Sequence, residues 1–363
     1  MAWGRTTTAD DMANWTARHQ PDRLSGRVAI VTGGSSGIGL RCVKALATHG
    51  VQVVVPARDV TKAETALRGL PDVAIQPMDL MGAGSISDFI AWFAGNHDHL
   101  DYLIGCGGIM APPLRRDAKG HESQFSTNHL GHFQLATGLA PLLAAGTGHP
   151  RLVLVSSRAQ RAAGNLTGQA QIGIDGMVQA DAAEPGAVAG INFGDPDWVS
   201  TPYEPMLAYA QSKTANVLTA VEFDRRWRDR GVRAFAVHPG LVPGSDLGRG
   251  HATPPIVHRV LGNPVGVAAV NAIRRVARQV RGGGDLFKTP AQGAGTVLWA
   301  ALSPELDDRG GVYCEDCHIA PVVDDPASPS GVLPWAVDPG KARRLWQLSE
   351  AMIGQPRQTV GGG

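Results

Sequence analysis

The sequence predicts an α/β fold in which helices cover both faces of a doubly wound parallel sheet of about seven strands. Short apolar runs alternate with helical patterns along most of the chain. These runs are apolar on both faces, which is typical of strands that helices cover from two sides. A glycine-rich turn joins the first run to the first helical pattern and a second strand follows at once, so the chain opens with a βαβ unit.

The first half of the predicted sheet follows a polar N-terminal arm over residues 1–26. Its strands lie at 27–32, 51–55, 73–77 and 100–105, and its helices lie at 40–49, 60–69, 85–95 and 121–145. In the last of these helices, Phe125, His129 and Phe133 recur near the helical period of 3.6 residues. This order favours consecutive βαβ units.

The second half begins with a strand at 151–156, after which the pattern breaks. Residues 160–190 are rich in Gly, Ala, Gln and Asp with little periodicity, so we expect a surface insertion, partly disordered and without chemistry. The remaining elements are a helix at 205–230, a strand at 232–238, helices at 264–281 and 290–302, and a strand at 311–313. The prediction is a single sheet domain over 27–320 and a C-terminal extension over 321–363.

Two of the late helices carry local signals of their own. The helix at 290–302 follows Thr289 as N-cap and has Pro290 at its first position. The helix at 264–281 carries several arginines beside an apolar stripe. Such a helix can lie on a membrane surface, or it can be a wall helix with a solvated basic face. The short stripe and the neutral chain favour the wall helix.

The composition excludes several classes of partner. Lys and Arg number 33 and Asp and Glu number 32 among 363 residues, so the net charge of +1 gives no general attraction to nucleic acid, and we expect a small-molecule partner. No stretch of about 18 apolar residues occurs, so no transmembrane segment is predicted. Four cysteines make no disulfide framework and the N-terminus has no apolar secretory core, so we expect a reduced, cytoplasmic protein.

The run Cys314-Glu315-Asp316-Cys317-His318 has the spacing of a covalent haem attachment sequence. Haem attachment would need an exported protein and a distant axial ligand, and a zinc site would need a second pair of ligands. Neither is signalled, so no metal site is predicted. We expect a loop after a late strand with two free thiols, which a local disulfide could join under oxidation.

The glycine-rich turn over residues 33–39 stands between a predicted strand and a predicted helix, which is the context of a dinucleotide site. Gly33 permits the turn, Gly37 lets a pyrophosphate approach the backbone, and Gly39 lets the helix pack on the sheet. The N–H groups at the helix start would meet the phosphates. The residues expected to bind the cofactor here are Gly33, Ser35, Ser36, Gly37, Ile38 and Gly39.

The ends of the next two strands bear on which dinucleotide binds. Arg58 follows the second strand, where an arginine suits a ribose 2′-phosphate and an acidic residue suits the free 2′-hydroxyl. Arg58 therefore favours NADP(H), although the adjacent Asp59 leaves NAD(H) open. Asp79 and Leu80, directly after the third strand, are placed to meet the adenine.

Tyr209 and Lys213 stand four residues apart in a predicted helix and therefore share one face of it. A free phenol titrates near pH ~10, which is too high for efficient proton exchange at neutral pH. A fixed positive charge beside the phenol favours the phenolate and lowers its pKa. The pair predicts an acid/base group, although the same spacing also arises where the tyrosine packs in a core and the lysine is solvated.

In chain order, the motifs resemble those of the short-chain dehydrogenase/reductase family. The matching positions are Thr32-Gly33-x-x-x-Gly37-x-Gly39, Asn128, Ser156-Ser157, Tyr209-x-x-x-Lys213 and Pro239-Gly240. The runs from Thr127 to Phe133 and from Tyr209 to Leu218 resemble more narrowly its retinol-dehydrogenase-like branch and related bacterial oxidoreductases. The resemblance covers about residues 24–320 and implies a single Rossmann domain.

The resemblance implies four catalytic residues, Asn128, Ser157, Tyr209 and Lys213. Tyr209 would give or take the hydroxyl proton, and Ser157 would hold the substrate oxygen. Lys213 would lower the pKa of Tyr209 and bind the nicotinamide ribose, while Asn128 would anchor a water that relays protons to Lys213. Ser157 is chosen over Ser156 because the family aligns the second serine with the active site. Neighbouring strand residues do not both point inward, so only one of the two is expected there.

Two departures from the family pattern bear on the cofactor. Where the family reads Asn-Asn-Ala-Gly after the fourth strand, this chain has Gly105-Cys106-Gly107-Gly108. That segment lines the cofactor, with Gly107 as the expected contact, so we expect weaker or looser binding. After Pro239 and Gly240, which also contact the cofactor, the family threonine that binds the carboxamide is replaced, and Ser245 is expected to supply the hydroxyl instead.

The resemblance leads us to expect NADP(H)-dependent interconversion of an alcohol with its ketone or aldehyde, on a fairly apolar small molecule. The apolar substrate follows from the branch and from residues near the predicted mouth, Ile109, Met110, Trp198 and Met206. Two alternatives stay open, namely a cofactor-binding sensor or scaffold without turnover, and reduction of an activated C=C bond or a polyketide carbonyl. The family often pairs subunits through two of its helices, so we expect a homodimer or homotetramer.

Overall fold

A computed structural model describes residues 3–168, 170–172, 178–180, 188–243, 266–268, 270–271, 287–326, 328 and 330–354. Its strands are β1 (Val28–Thr32), β2 (Gln52–Ala57), β3 (Val73–Pro77), β4 (Tyr102–Gly105), β5 (Arg151–Val155), β6 (Ala170–Ile172), β7 (Val178–Ala180), β8 (Arg233–His238), β9 (Val312–Glu315) and β10 (His318–Ile319). Its helices are α1 (Ala9–His19), α2 (Gly37–Ala47), α3 (Val60–Leu67), α4 (Ala83–Asn96), α5 (Gly131–Ala144), α6 (Pro205–Trp227), α7 (Pro290–Leu302), α8 (Pro334–Val337) and α9 (Pro339–Ile353).

One eight-stranded sheet, with the strand order β10-β9-β8-β5-β4-β1-β2-β3, forms the centre of the described part of the chain. Every neighbouring pair from β3 to β9 is parallel, and β10 pairs antiparallel with β9. The chain order reverses at β1, because β2 and β3 lie on one side of it and the later strands on the other. Ligands of such sheets bind at the carboxyl ends of the strands beside this reversal. The predicted class, a doubly wound parallel sheet, is confirmed.

The eighth strand was not predicted. After β9, Asp316 and Cys317 have positive φ angles of 47° and 57°, and this tight turn sends β10 back along β9. The expectation of a loop from Cys314 to His318 is therefore wrong, because Cys314 is buried within β9 and His318 begins β10. A strand of two residues is too short to leave an alternating pattern in the sequence.

Two apolar layers cover the sheet, and alternate residues of each strand face opposite layers. In β4, Tyr102 and Ile104 belong to the layer with α1, α2 and α7, whereas Leu103 belongs to the layer with α4, α5 and α6. The predicted C-terminal extension adds α9 to the second layer, where the Trp346 ring lies 4.8 Å from the Phe133 ring. The C-terminal helix is thus packed on the same core as the sheet.

The predicted polar arm over residues 1–26 contains the helix α1, which its hydropathy does not predict. α1 begins at a capping box in which Thr8 and Asp11 exchange hydrogen bonds, and it buries Met12 in the layer that α7 shares. A Cβ on Gly295 of α7 would lie 2.0 Å from the carbonyl oxygen of Thr7, so the two segments touch through backbone. The buried side of α1 is short and partly polar, so hydropathy alone does not reveal it.

The first part of the predicted surface insertion at 160–190 is not at the surface. Ala162, Ala163 and Leu166 are buried in an apolar cluster with residues of α6. The first two lie in a short 3-10 helix, Arg158–Gly164. Alanine buries little apolar area per residue, so the composition of this segment did not reveal its packing. Further along, β6 and β7 form a separate antiparallel pair.

The helix predicted at 121–145 is interrupted. A π-helical turn at Phe125–Leu130 precedes α5, which begins at Gly131. Such turns change the direction in which side chains leave a helix and are frequent at functional sites. The apolar period of the sequence is nearly continuous across this turn, so the pattern alone could not show it.

Some predictions fall outside the described residues. Of the helix predicted at 264–281, only 266–268 and 270–271 are described, and Ser245 is not among the described residues. Where the structure does describe the chain, no helix is long and apolar enough to cross a membrane. The same residues contain no group of three His, Cys, Asp or Glu side chains that could hold a metal ion.

Candidate active site

The glycine turn lies at the carboxyl end of β1, where the strand order reverses. Gly33 and Gly37 have φ angles of 66° and 52°, in the left-handed region that favours glycine. A Cβ on Gly33 would lie 2.9 Å from Cα of Gly107, and a Cβ on Gly39 would lie 2.4 Å from the carbonyl oxygen of Gly33. The turn therefore has room for backbone only, at the start of α2. This cradle fits a pyrophosphate, which needs close approach to the N–H groups of a helix start.

The end of β4 forms a wall beside this turn. The N–H of Gly107 donates a hydrogen bond of 3.0 Å to Oγ1 of Thr32. A Cβ on Gly107 would lie 2.6 Å from Cδ1 of Leu80, so no larger residue fits there without movement. Asp79 is held next to Leu80, because its Oδ1 accepts a hydrogen bond of 3.0 Å from the N–H of Met81. The structure thus brings three predicted cofactor residues, Asp79, Leu80 and Gly107, to one edge.

His132 of α5 fills the space that Gly105 leaves in this wall. A Cβ on Gly105 would lie 2.9 Å from Cδ2 of the His132 ring. Nδ1 of the ring lies 3.0 Å from the carbonyl oxygen of Asn128, and Nε2 lies 2.8 Å from Oγ1 of Thr32. Burial lowers the pKa of His132 to about 4, so the ring is neutral at pH 7. Nδ1 therefore donates to the carbonyl, and Nε2 accepts from the hydroxyl of Thr32.

Arg58 and Asp59 lie at the carboxyl end of β2 with exposed side chains. Asp59 is the N-cap of α3, and its carboxylate accepts a hydrogen bond of 2.9 Å from the N–H of Lys62. One carboxylate oxygen is thus engaged by the helix. Arg58 and Lys62 bring positive charge to the same edge. A cleft there is lined by Ser35, Asp59, Thr61, Lys62, Thr65 and Ala66.

α6 carries Tyr209 and Lys213 one turn apart, and Ser157 faces them from the end of β5. The Tyr209 hydroxyl is in polar contact with the side chain of Ser157, whose Oγ accepts a hydrogen bond of 3.1 Å from the N–H of Ala159. Ser156 points the other way, and its hydroxyl donates over 2.8 Å to the carbonyl oxygen of Lys213. The structure therefore brings Ser157, and not Ser156, to the tyrosine.

Burial sets the protonation of the tyrosine and lysine pair. Burial raises the pKa of Tyr209 to about 12, although the polar contact with Ser157 opposes this rise. Burial lowers the pKa of Lys213 to about 8. In the protein without cofactor, burial therefore decides the pKa of Tyr209, and the predicted lowering of this pKa by Lys213 stays a prediction. Its Nζ atom lies 5.6 Å from the centre of the Tyr209 ring and donates over 3.0 Å to the carbonyl oxygen of Val155.

Asn128 ties the segment after β4 to α6. Its Oδ1 accepts a hydrogen bond of 2.8 Å from the N–H of Ile109, and its Nδ2 donates to the Ile109 carbonyl over 2.9 Å. The same Nδ2 donates over 2.9 Å to Oγ of Ser212, the residue before Lys213. A Cβ on Gly108 would lie 2.8 Å from Oδ1 of Asn128 and 3.7 Å from Nζ of Lys213. Asn128 and Lys213 thus meet at the same point of the wall.

An apolar wall surrounds the Tyr209 ring. It consists of Met110, Ala111, Ala159 and Met206. Two of the residues predicted at the substrate mouth, Met110 and Met206, therefore contact the tyrosine cluster. Trp198 does not, because it is buried in a separate cluster with residues of the 3-10 turn after β5.

Pro239 and Gly240 follow β8 at the same edge of the sheet. Gly240 has a φ angle of 89°, and a Cβ there would lie 2.7 Å from Cδ of Lys288. The N–H of Lys288 donates over 2.8 Å to the carbonyl oxygen of Leu241. This contact fixes the path of the chain just after the predicted cofactor residues.

Comparison with known proteins shows the family of the chain. A family model described as short chain dehydrogenase matches residues 27–170. A "Probable oxidoreductase" of Streptomyces lividans is 35% identical over 331 residues, which cover 89% of this chain and 96% of that protein. Retinol dehydrogenase 14 of Homo sapiens is 29% identical over 92% of this chain and 88% of its own length. A crystal structure of an uncharacterised protein from Mycobacterium paratuberculosis shares 27% identity with a TM-score of 0.60, over 92% of this chain and 95% of that chain.

The chain belongs to the short-chain dehydrogenase family, in which it is retinol-dehydrogenase-like. It is therefore an oxidoreductase of the family that binds a nicotinamide dinucleotide and acts on small molecules.

Proposed function

We propose that the protein uses NADP(H) to interconvert an alcohol with its ketone or aldehyde, and that Tyr209 transfers the hydroxyl proton. The observation that carries this proposal is the polar contact between the side chains of Tyr209 and Ser157 at the sheet edge that also holds the glycine turn. When bound, the nicotinamide supplies or accepts the hydride. The chain positions the reactants, holds the oxygen and moves the proton.

In the reducing direction, Ser157 and Tyr209 both hold the substrate oxygen. Tyr209 donates its O–H to this oxygen and releases the proton as negative charge develops there. Its raised pKa keeps the proton on the phenol until the oxygen becomes basic enough to take it. Lys213 is protonated at pH 7, and its charge on the same helical face stabilises the phenolate that remains. Asn128 holds the wall against which the Lys213 amine lies.

The apolar wall supports a substrate with an apolar group next to the reacting carbon. Met110 and Met206 offer flexible, polarisable surfaces that adapt to irregular shapes. Ala111 and Ala159 leave room beside the Tyr209 ring. Because the Tyr209 hydroxyl and Ser157 lie beside this wall, the substrate is held by one oxygen and by apolar contact. A lipophilic aldehyde or ketone has this chemistry.

The edge of β2 supports NADP(H) over NAD(H). The carboxylate of Asp59 caps α3, which leaves it less able to accept hydrogen bonds from a ribose. Arg58 is exposed next to it and can form paired hydrogen bonds to a phosphate. Lys62 adds a second cation to the cleft that Ser35 lines.

Arg58→Ala tests the choice of cofactor. The variant should weaken NADPH binding by about 10-fold or more, as loss of a charged hydrogen bond does, and leave NADH binding unchanged. Fluorescence titration with each reduced dinucleotide measures both affinities. Arg68→Ala removes an equally exposed cation near the end of α3 and serves as the control. Equal affinities of the natural protein for NADPH and NADH would argue against the proposal.

Turnover is tested by incubating the protein with NADPH and a panel of lipophilic aldehydes and ketones. Consumption of the reduced cofactor, followed by its absorbance, is the expected result. If the protein binds NADPH tightly and consumes none with any member of the panel, the alcohol and carbonyl chemistry is wrong while the cofactor site stands.

A further inference from the structure

Cys42 and Cys106 lie side by side behind the dinucleotide site. Cys106 follows β4 in the direction of Tyr102 and Ile104, so its side chain faces the layer that contains α2. Cys42 is a buried member of that layer, one turn after Gly39. Cys106 packs on the same apolar cluster as Cys42, and the two thiols interact directly enough to raise the pKa of Cys42. Both are free, so the reduced pair is an available cross-link between α2 and the wall.

Cys106 is the more accessible of the two thiols. In the part of the chain that the structure describes, Cys42, Cys314 and Cys317 are buried and Cys106 is partly exposed. Cys106 also lies near enough to Lys213 to oppose the lowering of the Lys213 pKa that burial causes. A thiolate is the form that attacks an oxidant, and an oxidant reaches a partly exposed thiol before a buried one.

We propose that Cys42 and Cys106 form a reversible disulfide when the protein meets a peroxide, and that this bond impairs binding of the dinucleotide. Cys106 attacks the peroxide as the thiolate, which gives a sulfenic acid and releases an alcohol or water. Cys42 then attacks the Cys106 sulfur, and water leaves as the S–S bond forms. The two thiols lose two electrons and two protons, and the peroxide O–O bond is reduced.

The position of Cys106 explains the effect on the cofactor. It is flanked by Gly105, which packs on His132, and by Gly107, which is bonded to Thr32. A Cβ on Gly33 would lie only 3.2 Å from the carbonyl carbon of Cys106. The backbone of Cys106 is therefore packed closely against the glycine turn. Formation of an S–S bond of about 2.05 Å moves Cys106 towards α2 and changes the packing of its backbone against the glycine turn.

Cys42 acts as the second thiol rather than the first. The interaction with Cys106 and complete burial both raise the pKa of Cys42 well above its usual value. It therefore stays protonated until a sulfenic acid is present beside it. The pair Cys314 and Cys317 is the natural comparison, because burial raises the pKa of both thiols and Cys317 contacts Thr296 over 3.8 Å.

The cross-link is tested by treating the full chain with peroxide, digesting it with a protease in the absence of reductant, and measuring the peptide masses by mass spectrometry. A peptide pair joining Cys42 to Cys106, lighter by two hydrogens than the sum of the two, is the expected result, and a thiol reductant should separate it. Detection of a Cys314 to Cys317 bond alone, or of Cys106 oxidised to sulfinic acid without any link to Cys42, would overturn the proposal.

The effect on binding is tested separately. Peroxide should weaken NADPH binding by the natural protein by about 10-fold, and a thiol reductant should restore it. The affinity of Cys42→Ala for NADPH should not change on treatment with peroxide. Cys314→Ala should respond as the natural protein does. A cross-linked protein that binds NADPH with unchanged affinity would overturn the regulatory part. This part rests on the proposed NADP(H) site, and if the reduced protein binds no NADPH the proposed function fails while the cross-link remains measurable by mass.

Discussion

Lys213 is a residue of the candidate site whose pKa burial brings close to neutral pH. Burial lowers its pKa to about 8, whereas a free lysine titrates near pH ~10.4. The ammonium form is therefore present at pH 7 and is lost as the pH rises above about 8. Because its Nζ lies next to Gly108 in the cofactor wall, this loss removes a positive charge from the site itself.

Cofactor binding should weaken as the pH rises through about 8. The ammonium donates hydrogen bonds and attracts the anionic dinucleotide, and the neutral amine attracts it less. Dissociation constants for NADPH, measured by fluorescence titration below and above this pH, should increase accordingly. Lys213→Gln should bind more weakly at low pH and lose this dependence. If the affinity for NADPH falls equally in the variant and in the natural protein over this pH range, another group is responsible for the pH dependence.

Single residues of the site could be predicted where a local spacing determines them. Gly33, Gly37 and the Tyr209 to Lys213 interval stand within one turn or one helix, so the sequence contains their geometry. His132 could not be found in this way. Gly105 signals that a strand end lacks a side chain, but which helical residue fills that space depends on how α5 lies over β4. That relation is set by the packing of whole elements.

Among the elements, β5 is fixed to α7 by one buried arginine. Arg151 at the start of β5 is fully buried and donates over 2.8 Å to the carbonyl oxygens of Ala300 and Ser303. It also pairs with Asp307 at 2.5 Å. These contacts lie at the opposite end of β5 from Ser157. They therefore hold the last turn of α7 against the sheet without touching the site.

Arg151→Met should lower the free energy of unfolding by about 3 kcal/mol or more, because two buried carbonyls and a carboxylate lose their donor. Urea unfolding followed by circular dichroism measures this change. Arg228→Met is the matched control, since Arg228 is 56% exposed and its ion pair with Asp229 spans 3.8 Å; it should cost less than about 0.5 kcal/mol. Equal losses in the two variants would contradict the role given to Arg151.

The contact of α1 with α7 depends on Gly295. An alanine there would place its Cβ 2.0 Å from the carbonyl oxygen of Thr7, which requires the N-terminal segment to move. Gly295→Ala should therefore release α1, lower the melting temperature and open the segment before β1 to protease. Gly84→Ala in α4 meets nothing within 4 Å and should instead stabilise by about 0.5–1 kcal/mol. Equal protease resistance of both variants would contradict this account of α1.

Three elements, α1, β10 and the π-helical turn, leave only weak signals in the sequence, each for its own physical reason. The parallel strands and their helices are long enough for period and length to identify them, and they were found. α1 buries few large side chains, and β10 has two residues. The π-helical turn changes backbone hydrogen bonding without changing composition. The spacing of Thr8 and Asp11, which form a capping box, is the sequence signal for α1.

At the scale of the whole molecule, the parallel sheet brings distant segments to one edge. Residues from β1, β2, β4, β5, α6 and β8 meet there because the carboxyl ends of parallel strands all point the same way. The order of motifs along the chain was therefore enough to predict the fold and the meeting of Ser157 with Tyr209. The pKa values were not predictable in this way, because burial in the assembled molecule decides them.

The turnover of Tyr209→Phe tests the central claim most directly. With NADPH and an accepted carbonyl substrate, kcat should fall by about 100-fold or more, because the proton donor is lost, while the affinity for NADPH stays unchanged. Tyr102→Phe is the control, since its buried phenol donates to the Arg23 carbonyl over 2.7 Å at the far end of β4, and it should keep the natural kcat. A Tyr209→Phe variant that turns over as fast as the natural protein would contradict the assignment of Tyr209 as the proton donor.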